Sequence, residues 1–167
     1  MVKLLRRFLP AVLAVLVLIP APLAAAETSG LPLPRFVSLR SDEVNLRSGP
    51  GVRYPVEWVY TRRDLPVEVI AEFDAWRKIR DWQGTEGWVH QSMLSARRMV
   101  VIPSGRKTMR ADPDDHAAPV AVLGANVVAR LLSCPRDKIY CKVEVSHIEG
   151  WLKRDDFWGV YPGEYLE

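Results

Sequence analysis

The sequence predicts an all-β protein made of two tandem small barrels of about five strands each, and three observations carry that expectation. Leu46-Arg47-Ser48-Gly49-Pro50 returns as Met109-Arg110-Ala111-Asp112-Pro113, and Gly87-Trp88-Val89 returns as Gly150-Trp151-Leu152, both at an offset of 63 residues. Short runs of branched and aromatic residues alternate with Gly, Pro, Asn and Asp turn signals. Long helical periodicity is hard to find. Two matching ends at a single offset point to a paired module before a single enzyme active site.

The chain begins with residues 1–26, which read as a secretory signal cut before Glu27. Lys3, Arg6 and Arg7 form a basic start, Phe8 to Ile19 is apolar, and Ala24-Ala25-Ala26 supplies small residues at the cut. A membrane anchor would need about 20 unbroken apolar residues. Pro10, Pro20 and Pro22 interrupt a shorter run here. Arg6-Arg7-Phe8-Leu9 resembles a twin-arginine signal but lacks the residue normally found between the arginines and the Phe. No Cys sits at the cut, which argues against a lipoprotein. Removing the signal takes away three of the 23 basic residues and none of the 20 acidic ones, leaving a neutral balance. The apparent basic pI therefore gives no support to nucleic-acid binding. No membrane span is expected after signal removal.

Residues 27–35 read as a linker, 36–98 as the first unit, 99–161 as the second and 162–167 as a tail. In the first unit, Val37 to Leu46 reads as a strand leading into Ser48-Gly49-Pro50-Gly51, which supplies the restricted and permissive residues of a sharp turn. Val56–Tyr60 and Val67–Phe73 follow as strands rich in branched and aromatic residues. Trp76–Trp82 alternates, and Gln83-Gly84-Thr85-Glu86-Gly87 closes a hairpin into Trp88-Val89-His90. In the second unit Asp112-Pro113-Asp114 replaces the Gly-Pro-Gly turn, Val127–Leu132 supplies the middle strand, and Lys142-Val143-Glu144 stands for Lys78-Ile79-Arg80.

Asn45-Leu46-Arg47-Ser48-Gly49-Pro50-Gly51, followed by Tyr54-Pro55-Val56, resembles the opening signature of bacterial SH3-like (SH3b) domains. Trp76-Arg77-Lys78-Ile79-Arg80 and Gly87-Trp88-Val89 resemble that family's penultimate and closing strands. The second unit resembles a diverged copy, and Trp158 to Glu164 looks like the tail of exported proteins with this tandem arrangement. The resemblance implies two SH3-like barrels whose partners are cell-wall peptides or extended segments of other proteins. It also implies a first groove at Trp76 with Tyr54 and Trp88, and a second at Tyr140 with Trp151. The loss of the turn glycines weakens the case for the second.

Cys134 and Cys141 are the only cysteines, and an exported chain meets an oxidising compartment. Aligning the repeats places Cys134 near Phe73 and Cys141 near Arg77, across one hairpin, so a disulfide is expected. A metal site would want more ligands than this pair offers, and the spacing excludes a redox Cys-x-x-Cys.

No Gly-x-Ser-x-Gly, His-Glu-x-x-His or phosphate-cradling loop is present, and His90, His116 and His147 are isolated in sequence. Asp112, Asp114 and Asp115 with His116 lack the liganding spacing of a calcium hand and read as a solvated turn. No cofactor is implied. Six Trp and five Tyr, many near turns, suit a shallow site for a sugar or an extended peptide. About half of these rings are expected to serve the core. Trp82, beside a hairpin turn, is expected to be the best exposed. The expected function is noncovalent recognition of a cell-wall fragment or a peptide segment by a non-enzymatic protein in the periplasm or outside the cell. The alternatives are an adaptor or inhibitor of an envelope enzyme without wall affinity, and a small hydrolase with an unrecognised site.

Overall fold

The computed structural model describes residues 28–167. The expected signal segment and its cleavage point lie outside the described residues. The protein is all-β: β1 (Arg35–Leu39), β2 (Val44–Arg47), β3 (Val56–Tyr60), β4 (Pro66–Phe73), β5 (Trp76–Arg80), β6 (Glu86–His90) and β7 (Leu94–Ser95) form one antiparallel sheet in the order β3-β2-β6-β5-β4-β1-β7. A second antiparallel sheet contains β8 (Met99–Val101), β9 (Lys107–Arg110), β10 (Pro119–Leu123), β11 (Val128–Ser133), β12 (Tyr140–Val145) and β13 (Ile148–Lys153), ordered β10-β9-β13-β12-β11-β8. Strand for strand, the second order matches the first six strands of the first. Among the described residues no helix is long and apolar enough to cross a membrane.

The sheets have seven and six strands where about five each were expected. The single strand expected over Val37–Leu46 is in fact two, β1 and β2, separated by Arg40–Glu43. β7 and β8, at two and three residues, are too short to leave a periodic signal. Trp76–Trp82 ends early at Arg80, because Asp81 already belongs to the turn.

Each sheet wraps its own apolar core. The first is built from residues such as Val44, Leu46, Val67, Val69, Ile79 and Val89, and the second from Met109, Ala129, Leu131, Val143 and Leu152. Much of the repeated signature proves to be structural. In each unit the repeated Arg donates from Nη1 to the carbonyl seven residues on, Arg47 to Tyr54 at 2.8 Å and Arg110 to Ala117 at 2.7 Å. That bond closes the turn whether its residues are Gly-Pro-Gly or Asp-Pro-Asp. At Gly49, a side-chain carbon would sit 2.4 Å from the Tyr54 ring. The ring lies directly on the turn glycine.

The segment from Phe157 to Leu166 ties the units together. Trp158 exchanges backbone hydrogen bonds with Val101, and Leu166 with Cys134. Phe36 of β1 meets Trp158 edge-on, with centroids 4.8 Å apart, and Tyr161 at 4.5 Å. The Tyr161 hydroxyl donates to Glu68 on β4 at 2.8 Å. Arg98 lies over Phe36 and pairs with Glu164.

Candidate functional site

β3 is the free edge of the first sheet, and its alternation places Trp58 and Tyr60 on one face. Tyr60 is buried at 4% exposure, while Trp58 is 57% exposed. Opposite them stands the β5–β6 hairpin, Asp81 to Thr85. Asp81 organises this turn: its Oδ1 accepts the backbone N–H of Gln83 and of Thr85, both at 2.9 Å. Gly84 donates to the Asp81 carbonyl and takes a positive φ of 87°, a conformation that favours glycine. Asp81 Oδ2 accepts from the Tyr60 hydroxyl at 3.0 Å. One buried carboxylate thus shapes the hairpin and fastens it to β3.

Between these walls lies a cleft of about 250 Å³, lined by Trp58, Tyr60, Leu65 and Trp82 with Thr61, Arg62, Gln83 and Thr85 at its edges. Burial pushes the Tyr60 phenol well above its ordinary range, and the adjacent Asp81 carboxylate adds to the shift. Tyr60 therefore serves as a neutral hydrogen-bond donor. The cleft offers two indole surfaces, an apolar floor and a polar rim, a composition suited to an extended chain or a sugar ring. Arg62 donates to the Asn126 carbonyl in the second unit at 2.8 Å, so the cleft opens beside the junction of the units.

The residues expected to form grooves fall into several places. Trp82 lines this cleft, but it is half-buried and packs against the first core. The expectation that it would be the best exposed is corrected: Trp58, which had been assigned only to a strand, is exposed. Trp76 and Trp88 share the outer face of the β5–β6 ladder, opposite His90 and Lys78 respectively. Trp76 meets His90 edge-on at 5.5 Å. Tyr54 covers Gly49 in the preceding turn, and the Arg47 that donates to its carbonyl lies opposite Trp88 across β2–β6. The expected trio therefore does not line the cleft. Two of its members share a face, and the third packs a turn.

In the second unit the ladder pairs Tyr140 with Lys153 and Lys142 with Trp151, as it pairs Trp76 with His90 and Lys78 with Trp88 in the first. This register makes Tyr140 the counterpart of Trp76. Tyr140 is nevertheless buried at 5% exposure, and its hydroxyl donates to Asp115 at 2.7 Å. Burial and this carboxylate raise its pKa. Trp151, two rungs away on the same face, is half-buried and also lies opposite Arg110. Tyr140 lines a different kind of cleft, about 290 Å³ and predominantly polar.

Cys134 and Cys141 are joined in a disulfide. Among the described residues no group of three or more His, Cys, Asp or Glu is placed to hold a metal ion. His147 is almost fully exposed in a two-residue turn, 3.7 Å from Glu144. His90 Nδ1 lies 2.7 Å from Ser92 Oγ and accepts the Ser92 backbone N–H at 3.3 Å, which caps the short 3-10 turn Gln91–Met93.

Residues 40–96 match the family model described as "Bacterial SH3 domain". No curated protein matches the chain. Among solved structures it is similar to NlpC2 from Trichomonas vaginalis, with 12% identity and a TM-score of 0.35 over 75% of this chain and 48% of that one. It is also similar to NlpC1 from the same organism, with 13% identity and a TM-score of 0.35 over 83% of this chain and 50% of that one. The chain thus spans about half the length of either. The match spans β2 to β7, the stretch that carries the turn, ladder and closing strand described above, so residues 40–96 are similar to a bacterial SH3 domain.

Proposed function

We propose that this protein is a noncovalent binding module of the cell envelope, and that its first unit holds an extended peptide or glycan of the cell wall in the cleft between Trp58 and Trp82. The observation that carries this reading is the pairing of an exposed and a half-buried indole across a cleft that Asp81 holds in shape. Rigid aromatic rings provide contact area at small entropic cost, and a ring in a pre-formed cleft needs little reordering to bind. Sedimentation with purified sacculi tests it. The protein should pellet with them, and Trp58→Ala and Trp82→Ala should each release it. Retention no greater than that of an unrelated control protein would end the proposal. Trp76→Ala serves to ask whether the outer ladder face takes part.

A second reading is favoured by the free edge of β3, whose residues Val56 to Val59 are exposed. Such an edge can add an extended strand of another protein by backbone hydrogen bonding. On that reading the chain is an adaptor or inhibitor for an envelope protein. Recovery of one defined partner from envelope extract, with no affinity for sacculi, would favour it. For a hydrolase, the hydrogen-bonded pair His90 and Ser92 has the geometry of a turn cap.

A further inference from the structure

The two units can be compared position by position, because β2 and β9 pair with β6 and β13 in the same register: Arg47 opposite Trp88, and Arg110 opposite Trp151. The comparison isolates the polar cleft of the second unit. Its lining contains four cations, Arg106, Lys107, Arg110 and Lys153, and two carboxylates, Asp115 and Asp156. The first-unit counterparts are Glu43, Val44, Arg47, His90, Val52 and Met93. Only the turn-closing arginine is common to both, so an SH3-like unit forms without the other charged groups.

The most telling exchange is at Lys107. Its counterpart Val44 is 1% exposed in the first core, and Met93 packs against that same core. In the second unit Lys107 and Asp156 occupy these places as an ion pair at 2.9 Å, with side chains 30% and 22% exposed. Apolar pairs generally stabilise such positions at least as well as ion pairs do. Where the first unit has an apolar end of its core, the second has the floor of a charged cleft.

Within the cleft the lysines are already neutralised, Lys107 by Asp156 and Lys153 by Asp115 at 2.6 Å. Arg110 gives one hydrogen bond, to the Ala117 carbonyl, and retains further N–H donors. Arg106 is exposed and has no side-chain hydrogen bond or ion pair among the described residues. Two guanidinium groups thus carry the uncompensated charge. Their planar forks match a carboxylate, while the fixed Asp115 and Asp156 carboxylates disfavour a doubly charged phosphate.

We propose that this cleft binds the terminal carboxylate of a peptide, with Arg106 and Arg110 as donors and Asp115 and Asp156 positioned to accept the peptide's N–H groups. This site is separate from the tryptophan cleft, and its test does not depend on sacculus binding. The probes are N-acetyl-alanyl-alanine, its C-terminal amide and inorganic phosphate, titrated by NMR against the purified protein. The acid should bind at least about tenfold more tightly than the amide and than phosphate, as expected for a charge-assisted fork. Arg106→Ser should weaken the acid several-fold and leave folding unchanged, since that side chain holds nothing in place. Lys107→Val with Asp156→Met, which restores the first unit's residues and removes one N–H acceptor while keeping both arginines, should weaken binding several-fold without lowering the thermal midpoint. Equal binding of acid and amide, tighter binding of phosphate, or full affinity in Arg106→Ser would each overturn the proposal.

Discussion

Glu72 and Arg77 face each other across the β4–β5 ladder, with Arg77 Nε 3.1 Å from Glu72 Oε1 and both side chains almost fully buried. The equivalent rung of the second unit holds the Cys134–Cys141 disulfide. Ala71 pairs with Lys78 one step before the ion pair, and Ser133 with Lys142 one step before the cysteines. A buried ion pair and a covalent bridge thus hold the same hairpin in two ways. Both members of this ion pair also have further local partners. Glu72 accepts from Ser29 and Arg35, and Arg77 donates to Gln91 and to the carbonyls of Asp74 and Trp76.

The bridge closes a short loop, and chain-entropy reasoning gives it about 2.5 kcal/mol. Replacing Cys134 and Cys141 together by Ser should lower the second unit's stability by roughly that amount. Because Leu166 pairs with the backbone of Cys134, hydrogen exchange near Leu166 should speed up as well. Urea unfolding of the double variant that matches the oxidised parent would show that the bridge contributes nothing.

The ion pair predicts a pH dependence. Burial alone would raise the Glu72 pKa, but the Ser29 hydrogen bonds, Arg35 and Arg77 together hold it at about 2 against an ordinary 4.5. A carboxylate depressed in the folded state stabilises fully above its unfolded pKa. That contribution should be lost as pH falls from about 4.5 towards 2. Urea midpoints measured from pH 6 to pH 3 should decline through this window. The Glu72→Gln variant should be less stable at pH 6, because it strands the Arg77 charge, and should decline less steeply. An equal slope in both proteins would assign the acid sensitivity to another group.

The strands were legible where the pattern is local. Val56–Tyr60 is β3 without adjustment, and Val67–Phe73 is β4 short of Pro66. The disulfide followed from two cysteines flanking one hairpin, although the repeat alignment puts Cys134 near the position of Phe73 where the ladder makes Glu72 its counterpart. What sequence could not give was exposure set by nonlocal packing. Trp58 reads as an ordinary strand residue, yet on the edge strand β3 it is 57% exposed while Tyr60, two residues on, is buried. Trp82 sits beside a turn, yet the hairpin folds its ring onto the core. The charged cleft was illegible for a similar reason: its residues are scattered from Arg106 to Asp156 over several strands and loops.

The repeated glycines make a test of close packing. A side-chain carbon at Gly87 would fall 2.5 Å from Leu46 Cγ and 3.0 Å from the Arg47 carbonyl oxygen. At Gly150 it would fall 2.6 Å from Met109 Cγ and 2.9 Å from the Arg110 oxygen. Gly87→Ala and Gly150→Ala should each cost about 1–3 kcal/mol through overpacking. Thermal midpoints unchanged in both variants would show that β6 and β13 can move away from β2 and β9.

Trp58 and Trp82 separate binding from folding. Trp58 is mostly exposed, so Trp58→Ala should alter stability by no more than about 0.5 kcal/mol. Trp82 packs against the core, and Trp82→Ala should destabilise the first unit by about 2 kcal/mol. If both rings grip one ligand across the cleft, both variants should lose at least about tenfold in sacculus affinity, a cost of over 1 kcal/mol typical of aromatic contacts central to an interface. Measuring urea unfolding and sacculus sedimentation on the same preparations distinguishes the causes. Loss of binding in Trp82→Ala alone would trace to the damaged fold, whereas loss in Trp58→Ala, with folding intact, can come only from a missing contact.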